Sequence, residues 1–223
     1  MYSVKYHIYI THEDHIGGLD YIINSLKIDK IYIPKATATT RTFKDVVNAI
    51  KNKGMKVTVP TVGETLKLGE ATVIILSPNS DKYENTNDYS IVIKIIFKEN
   101  SFLFEGDASA ISEMEMVKKG LNSKADVLKI GHHGSKTSTC ENFLTAVNPK
   151  YAIISVGKNN SYNHPNKATM DRLESKNIPV YRTDENGTII VTSDGKNIAF
   201  KTETGSIGSY KYNDIAKSII KHK

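Results

Sequence analysis

The sequence feature that most constrains this chain is a cluster of metal-ligand side chains between two apolar segments. Residues 11–18 read THEDHIGG and carry His12, Asp14 and His15. Glycines at 17 and 18 allow the backbone to pass close to a bound group. Imidazole and carboxylate are the ligands that borderline divalent metals prefer. Short polar loops of this composition are often only solvated, so the cluster alone leaves metal binding open.

The segments around this cluster predict alternating strands and helices. Residues 6–10 alternate as a strand does, and residues 19–26 are apolar enough to form a packed helix. Further helices are predicted at 43–53, 109–119, 139–147 (with Thr139 as N-cap) and 167–176. Further strands are predicted at 30–34, 56–59, 64–68, 71–76, 89–97, 101–104, 126–130, 151–156, 179–182, 188–192 and 198–201. The alternation indicates an α/β fold.

Three more ligand-type residues follow predicted buried strands. Asp107 comes after the strand at 101–104, His132 after 126–130, and His164 after 151–156. Strand ends along one edge of a sheet lie together, which is where α/β folds place their sites. Histidine and aspartate gathered there predict a binuclear hydrolytic centre. In such centres a carboxylate bridges two metals about 3.5–4 Å apart and a bound water acts as nucleophile.

Bulk composition limits the classes of protein. The 223 residues suffice for one sizeable core. The single cysteine, Cys140, excludes an internal disulfide and a cysteine-rich zinc site. No apolar run is long enough to span a bilayer, and the first residues lack a signal-peptide pattern. Localisation and oligomeric state remain open.

The net charge of +6 favours an anionic partner such as nucleic acid. The basic residues are mostly lysine, with arginine only at Arg41, Arg172 and Arg182. Such usage also follows from the base composition of a genome, so the charge alone does not decide between the two explanations.

The motifs together resemble the metallo-β-lactamase superfamily. They are HEDHIGG (12–18), FLFEGDA (102–108), VLKIGHHGS (127–135), ISVGKNNSYNHP (154–165) and VYRTDENG (180–187). Within it they are most similar to the hydrolase domain of the ComEC family of DNA-uptake proteins. The resemblance implies a four-layer α/β/β/α sandwich. It covers nearly all of a predicted hydrolase domain at 1–201, followed by a polar, basic tail at 202–223.

The resemblance also implies roles for individual residues. The implied metal ligands are His12, Asp14, His15, Asp107, His132 and His164. Asp107 would bridge, and His133, Ser135 and Asn160 would lie around the substrate or support the ligands. Asp14, Asp107 and His133 are the predicted catalytic residues, and the cofactor is one or two ions of Zn²⁺ or Mn²⁺. For Tyr162 we expect a packed aromatic ring, with base stacking as the alternative, and we expect Lys129, Thr183 and Asp184 to be structural.

Two departures from the family pattern bear on function. The motif in this branch of the family is His-x-Asp-x-Asp-His, and counting back from His15 puts Ile10 at its first position and His12 at its second. Alternatively, two residues are deleted and His12 is the first ligand; in both alignments the motif is one ligand short. We therefore expect one half-site, formed by Asp14, His15, Asp107 and His164, to be complete and the half that uses His12 and His132 to be weakened. The family's opening strands also lack a counterpart, so we expect a domain truncated at its N-terminus.

Three functions are therefore compatible with the sequence. The first is a metal-dependent phosphodiesterase or nuclease acting on DNA. The second is a hydrolase of small esters or phosphocholine-type substrates on the same fold, because fold does not determine function. The third is a degenerate, truncated domain with little activity.

Overall fold

The computed structural model describes residues 4–7, for which it gives the backbone, and residues 12–203. Residues 8–10 of the predicted first strand, and with them Ile10, lie outside the described residues. So does most of the predicted tail, and the proposed boundary at residue 201 therefore stays a prediction. Within the described ranges no helix is long and apolar enough to cross a membrane.

The chain alternates strands and helices as predicted. The helices are α1 (Glu13–Ile16), α2 (Leu19–Ser25), α3 (Arg41–Asn52), α4 (Ala110–Lys118), α5 (Glu141–Val147), α6 (Lys167–Ser175) and α7 (Thr183–Asn186). The strands are β1 (Val4–His7), β2 (Ile28–Tyr32), β3 (Val57–Thr58), β4 (Thr65–Leu68), β5 (Ala71–Ile75), β6 (Ile93–Phe97), β7 (Asn100–Phe104), β8 (Val127–Lys129), β9 (Tyr151–Ile154), β10 (Val180–Arg182), β11 (Ile189–Ser193) and β12 (Ile198–Thr202).

A seven-stranded sheet in the order β10-β9-β8-β7-β6-β5-β4 forms the centre of the molecule. Strands β4 to β7 pair antiparallel, and β7 to β10 pair parallel. The parallel part brings the carboxyl ends of β7, β8 and β9 to one edge. A smaller parallel sheet has the order β1-β2-β3, and β11 and β12 form a separate antiparallel hairpin.

The large sheet is covered on both faces. On one face Leu103, Leu128 and Ile154 pack in a single apolar core that includes residues of α4, α5 and α6. On the other face Phe102 packs with the β11–β12 hairpin, and Phe104 packs with the small sheet. The small sheet in turn buries its far side against α2 and α3. The predicted four-layer α/β/β/α arrangement is therefore confirmed.

Hydrogen bonds to Glu64 join the two sheets. Tyr32 Oη, in β2, donates to Glu64 Oε1 at 2.5 Å, and Lys30 Nζ donates to the same oxygen at 2.8 Å. Glu64 lies directly before β4 of the large sheet. Burial acts to raise the pKa of Glu64, but these two donors outweigh it and hold the pKa below its usual 4.5.

Two local predictions were wrong. The strand predicted from residue 89 begins at Ile93, because residues 86–89 form a short 3₁₀ helix. The N-cap of α5 is Cys140 and not Thr139. The backbone N–H groups of both residues donate to the carboxylate of Glu113, and Thr139 takes a φ of 56°. A carboxylate from α4 thus holds the two residues that precede α5, and no side chain caps the helix.

Candidate metal centre

Four segments bring the predicted ligands to one edge of the large sheet. Helix α1 carries Asp14 and His15, with His12 at its N-cap position. Asp107 follows β7, the pair His132–His133 follows β8, and His164 lies in the loop after β9. The convergence at the carboxyl ends of parallel strands is the arrangement that the sequence predicted.

Four of these residues form a compact cluster: Asp14, His15, Asp107 and His133 each offer a ligand atom within 4.8 Å of the others. His15 Nε2 lies 3.0 Å from Asp107 Oδ1. His133 Nε2 lies 3.0 Å from Asp14 Oδ2 and 3.8 Å from Asp107 Oδ1. Ligand atoms at this spacing can surround one divalent ion.

The remaining three candidates, His12, His132 and His164, are here called the outer histidines. His12 Nδ1 lies 3.6 Å from Asp107 Oδ2. The rings of His132 and His164 lie 5.7 Å apart between centroids. Asp107 therefore turns one carboxylate oxygen toward the compact cluster and the other toward His12. The structure groups the residues differently from the sequence prediction, since His133 and not His164 joins Asp14, His15 and Asp107.

The His132–His133 turn has an unusual backbone. Both histidines take positive φ angles, 47° and 53°, and His132 N–H donates to the carbonyl of Gly106 at 2.9 Å. A Cβ at Gly131 would lie 2.7 Å from the Glu105 carboxylate, and one at Gly134 would lie 2.7 Å from the Pro165 ring. The flanking glycines therefore let the turn lie close against its neighbours, where any larger side chain would clash.

Hydrogen bonds fix the orientation of His133. Its Nδ1 lies 2.8 Å from the carbonyl oxygen of Ser155, so Nδ1 carries the proton and donates. Its Nε2 points toward Asp14 and Asp107, where it can serve as a metal ligand. A ligand histidine whose other nitrogen donates to a carbonyl is typical of metal sites.

The loop that carries His164 is tied together by Asn160. The Asn160 amide donates to the carbonyls of Gly157 and His164 at 3.0 and 2.6 Å, and its oxygen accepts from His164 N–H at 2.9 Å. Ser135 is buried, and its hydroxyl pairs with Thr137 Oγ1 at 2.9 Å. Both residues thus use their polar atoms within loops, and their predicted role in substrate binding stays a prediction.

Asp107 is the most enclosed of the candidate ligands, with 2% of its surface exposed. Its backbone N–H donates to Ser90 Oγ at 3.0 Å, which holds the turn after β7. Burial acts to raise the pKa of Asp107, but the neighbouring imidazoles, above all His15, lower it below its usual value. The carboxyl group is therefore ionised and able to accept a cation.

The donor atoms fit a divalent metal. Among the described residues, His132 Nδ1 and His164 Nδ1 are buried without a hydrogen-bond partner, and His15 Nε2 and Asp107 Oδ1 are buried and face each other at 3.0 Å without hydrogen-bond geometry. Buried polar atoms are normally paired, so donor atoms of this kind that converge on one place fit a bound cation. Burial lowers the pKa of His132 and His164, which keeps both imidazoles neutral, as metal ligation requires.

Sequence reasoning gave Lys129 no role at the site. It lines a cavity of about 310 Å³ together with Phe104, His133 and Ser155, next to the compact cluster. Its ammonium donates to the carbonyl of Ile130 at 3.0 Å. Burial lowers the Lys129 pKa, while Glu105 and Asp107 act to raise it. The sequence signal for this role was the position of Lys129 at the end of a buried strand, two residues before the Gly-His-His turn.

The structure also shows the surroundings of Thr183, Asp184 and Tyr162. Thr183 and Asp184 have structural contacts as expected: Thr183 Oγ1 accepts from Val156 N–H at 2.7 Å, and Asp184 pairs with Arg182 at 2.6 Å. The expectation that Tyr162 is packed was wrong. Its side chain is 76% exposed, because the loop of residues 157–164 carries it outward.

Comparison with known families matches residues 11–158 to the Metallo-beta-lactamase superfamily. This chain belongs to the metallo-β-lactamase superfamily, whose members are metal-dependent hydrolases. The resemblance to ComEC-like competence proteins is confirmed as well. ComE operon protein 3 of Bacillus subtilis (strain 168) is 36% identical over 182 residues, which are 81% of this chain and 24% of that protein. Recombination protein 2 of Haemophilus influenzae is 40% identical over 117 residues, 52% of this chain and 15% of the relative.

Competence protein ComA of Neisseria gonorrhoeae is 37% identical over 115 residues, 51% of this chain and 17% of the relative. The chain thus spans a quarter or less of the length of these relatives. Among solved structures, CmlA, a diiron beta-hydroxylase from Streptomyces venezuelae, superposes with a TM-score of 0.54 at 16% identity, over 80% of this chain and 43% of CmlA. This likeness shows the fold alone.

Proposed function

We propose that this chain is a metal-dependent phosphodiesterase that acts on DNA. The observation that carries the proposal is the position of Asp107, a buried carboxylate that belongs to the compact cluster through Oδ1 and turns Oδ2 toward His12, one of the outer histidines. A carboxylate shared between two ligand groups suits a two-ion site, and such sites are common in phosphatases and nucleases.

Each ligand group would hold one ion. The compact cluster would hold one with Asp14, His15, His133 and Asp107 Oδ1, and the outer histidines would hold the other with Asp107 Oδ2. When bound, the metal supplies a Lewis acid for the phosphoryl oxygens and lowers the pKa of a bound water to about 7. Imidazoles with carboxylates suit Zn²⁺ and also accept Mn²⁺, so we propose either ion.

The protein's own groups orient the substrate and leave the attack to water. The Lys129 ammonium beside the cavity offers a positive charge to a phosphate, as lysines in phosphate sites do. Ser135 is buried and hydrogen-bonded. Burial raises the pKa of Cys140 to about 12, so its thiol stays protonated. Neither side chain is placed as an activated nucleophile, which supports a hydrolysis by water.

Two facts support DNA as the substrate class. The relatives include a protein named for competence and another named for recombination. The chain also carries a net charge of +6, which favours a polyanion. We propose DNA as the binding partner on these grounds, and small phosphodiesters serve as probes of the same chemistry.

The test is a hydrolysis assay on the dialysed chain with added Mn²⁺ or Zn²⁺. We expect metal-dependent cleavage of single-stranded DNA and of bis-p-nitrophenyl phosphate, and none by the Asp107→Ala variant. Cleavage of p-nitrophenyl acetate or p-nitrophenyl phosphorylcholine without DNA cleavage would instead support a small-ester or phosphocholine hydrolase. Metal binding without any turnover would support a degenerate domain.

A further inference from the structure

An exposed aromatic ring lies beside the outer histidines. Tyr162 is 76% exposed, and its ring lies near-parallel to that of His164, with the centroids 5.8 Å apart and the planes at 26°. Apart from this ring contact, most of the apolar surface of Tyr162 is exposed to solvent. Exposed aromatic rings next to a site commonly serve as contact surfaces for a ligand.

The loop fixes where this ring lies. Asn160 closes the loop through its hydrogen bonds to Gly157 and His164, one on either side of Tyr162 in sequence. Asn159 and Asn163 take positive φ angles of 52° and 55°, which turn the chain sharply around the tyrosine. The exposure of Tyr162 is therefore built into a hydrogen-bonded loop.

Ring contacts connect Tyr162 to the candidate metal centre. Tyr162 stacks on His164, His164 meets His132 edge-on at 5.7 Å, and His132 meets His133 edge-on at 6.4 Å. One face of the phenol ring is against His164, and the exposed side of the ring is open to a flat partner. A base stacked there would lie next to the candidate ligands, and the sugar–phosphate backbone attached to it could reach them.

We propose that Tyr162 is a stacking platform for the nucleobase adjacent to the cleaved phosphodiester, so that the site takes single-stranded nucleic acid. This inference rests on the proposed function. Single-strand binding proteins use the same combination of positive charge along the backbone and aromatic rings under the bases. A base paired within a duplex has no free face for Tyr162, whereas an unpaired base does.

The test compares Tyr162→Ala and Tyr162→Phe with Tyr21→Ala, a matched control at a tyrosine on α2 that is 71% exposed. KM and kcat are measured on a short single-stranded oligonucleotide, together with metal content. We expect Tyr162→Ala to raise KM about 5- to 150-fold, the fold-change that corresponds to stacking of one base. Tyr162→Phe keeps the ring and should behave as wild type, as should Tyr21→Ala.

An oligonucleotide with abasic positions around the cleaved bond isolates stacking from other roles. The KM of wild type should rise on this substrate by the same factor by which Tyr162→Ala raises KM on the intact one. The KM of Tyr162→Ala should change little between the two substrates. An unchanged KM in Tyr162→Ala would overturn the inference. So would a rise in KM from wild type to Tyr162→Ala that is as large on the abasic oligonucleotide as on the intact one. A loss of metal in Tyr162→Ala would also overturn it, because Tyr162 would then position His164. If wild type cleaves no phosphodiester at all, the proposed function fails first.

Discussion

The candidate ligands come from two halves of the molecule that hold them differently. The small-sheet half, here residues 12–58 with β1, supplies His12, Asp14 and His15 from the four-residue helix α1. The large-sheet half, residues 64–202, supplies Asp107, His132, His133 and His164 from loops after its strands. Asp14 and His12 have side chains 57% and 39% exposed, whereas that of Asp107 is 3% exposed.

The difference lies in the supporting contacts. In the large-sheet half, Ser90, Gly106, Ser155 and Asn160 each hydrogen-bond a ligand residue or its backbone. In the small-sheet half, the N-cap His12 makes no side-chain capping bond. The large sheet therefore presents a preorganised set of ligands, and the small sheet completes it. The site is a product of how the two sheets pack together.

Removing the shared carboxylate should have the largest effect. Asp107→Ala takes away an oxygen from the compact cluster and another from the side of His12. We expect hydrolysis of bis-p-nitrophenyl phosphate to fall by more than the roughly 100-fold that loss of a ligand's supporting partner causes. Metal analysis should show fewer ions per chain. Asp171→Ala, which removes an exposed carboxylate on α6, is the control, and equal activity in both variants would refute the central position of Asp107.

The next effect tests whether the halves build one cluster. His15→Ala removes a ligand from the small-sheet half, and His133→Ala removes one from the large-sheet half. We expect each variant to lose about one bound ion, and the double variant to lose no more, because residues that share one ion act non-additively. Loss of an ion in His133→Ala alone, with His15→Ala at wild-type content, would show that the small-sheet half does not contribute.

A smaller effect should follow from loosening the large-sheet half. Asn160→Ala removes the bonds that hold the His164 loop while leaving every candidate ligand in place. We expect metal affinity to drop by about 10- to 100-fold, the usual cost of losing a supporting contact. Competition with a chelating dye measures this drop. Lys158→Ala, in the same loop, is the control. Wild-type affinity in Asn160→Ala would mean that preorganisation of this loop is not needed.

The smallest effect concerns the contact between the sheets. In the folded protein the pKa of Glu64 is below its usual 4.5, so the folded state binds fewer protons there. Its contribution is complete above the unfolded-state pKa and is lost as pH falls through the folded-state pKa. We expect Glu64→Gln to lower the free energy of unfolding by about 1–2 kcal/mol at pH 7.

Urea unfolding at pH 7 and in acid measures this contribution of Glu64. The difference between Glu64→Gln and wild type should shrink as the pH falls below about 4, near the usual carboxyl pKa. The control is Glu70→Gln. The Glu70 side chain is exposed, and its Oε2 makes a long ion pair of 3.8 Å with Lys98 Nζ. A constant difference between Glu64→Gln and wild type across this pH range would show that the ionised carboxylate does not join the sheets.

Much of the fold was predictable from the spacing of apolar residues and from the positions of ligand-type residues after the strands. Apolar runs marked the strands, and ligand-type residues directly after them marked the edge where they meet. The backbone of the His132–His133 turn was not predictable, because its positive φ angles depend on Glu105 and Pro165 packing against the flanking glycines. Which of the two histidines joins Asp14 follows from that turn, so a sequence motif does not contain it.

Residues outside the motif were also misjudged for physical reasons. The capping role assigned to Thr139 failed because the helix begins one residue later, after Cys140, where the Glu113 carboxylate of a distant helix accepts the backbone N–H groups of Thr139 and Cys140. Tyr162 was expected to pack, but its environment is set by the Asn160 hydrogen bonds, which pattern analysis does not show. Contacts between elements distant in sequence decide both cases.

Metal reconstitution of phosphodiester hydrolysis is the decisive experiment for a two-ion site shared by the two halves. The purified chain is stripped with a chelator, and the rate on bis-p-nitrophenyl phosphate is followed as Mn²⁺ or Zn²⁺ is added back. We expect no activity in the stripped chain and a rate that saturates near two equivalents of metal. Activity that survives stripping, or a chain that binds metal without gaining activity, would contradict it.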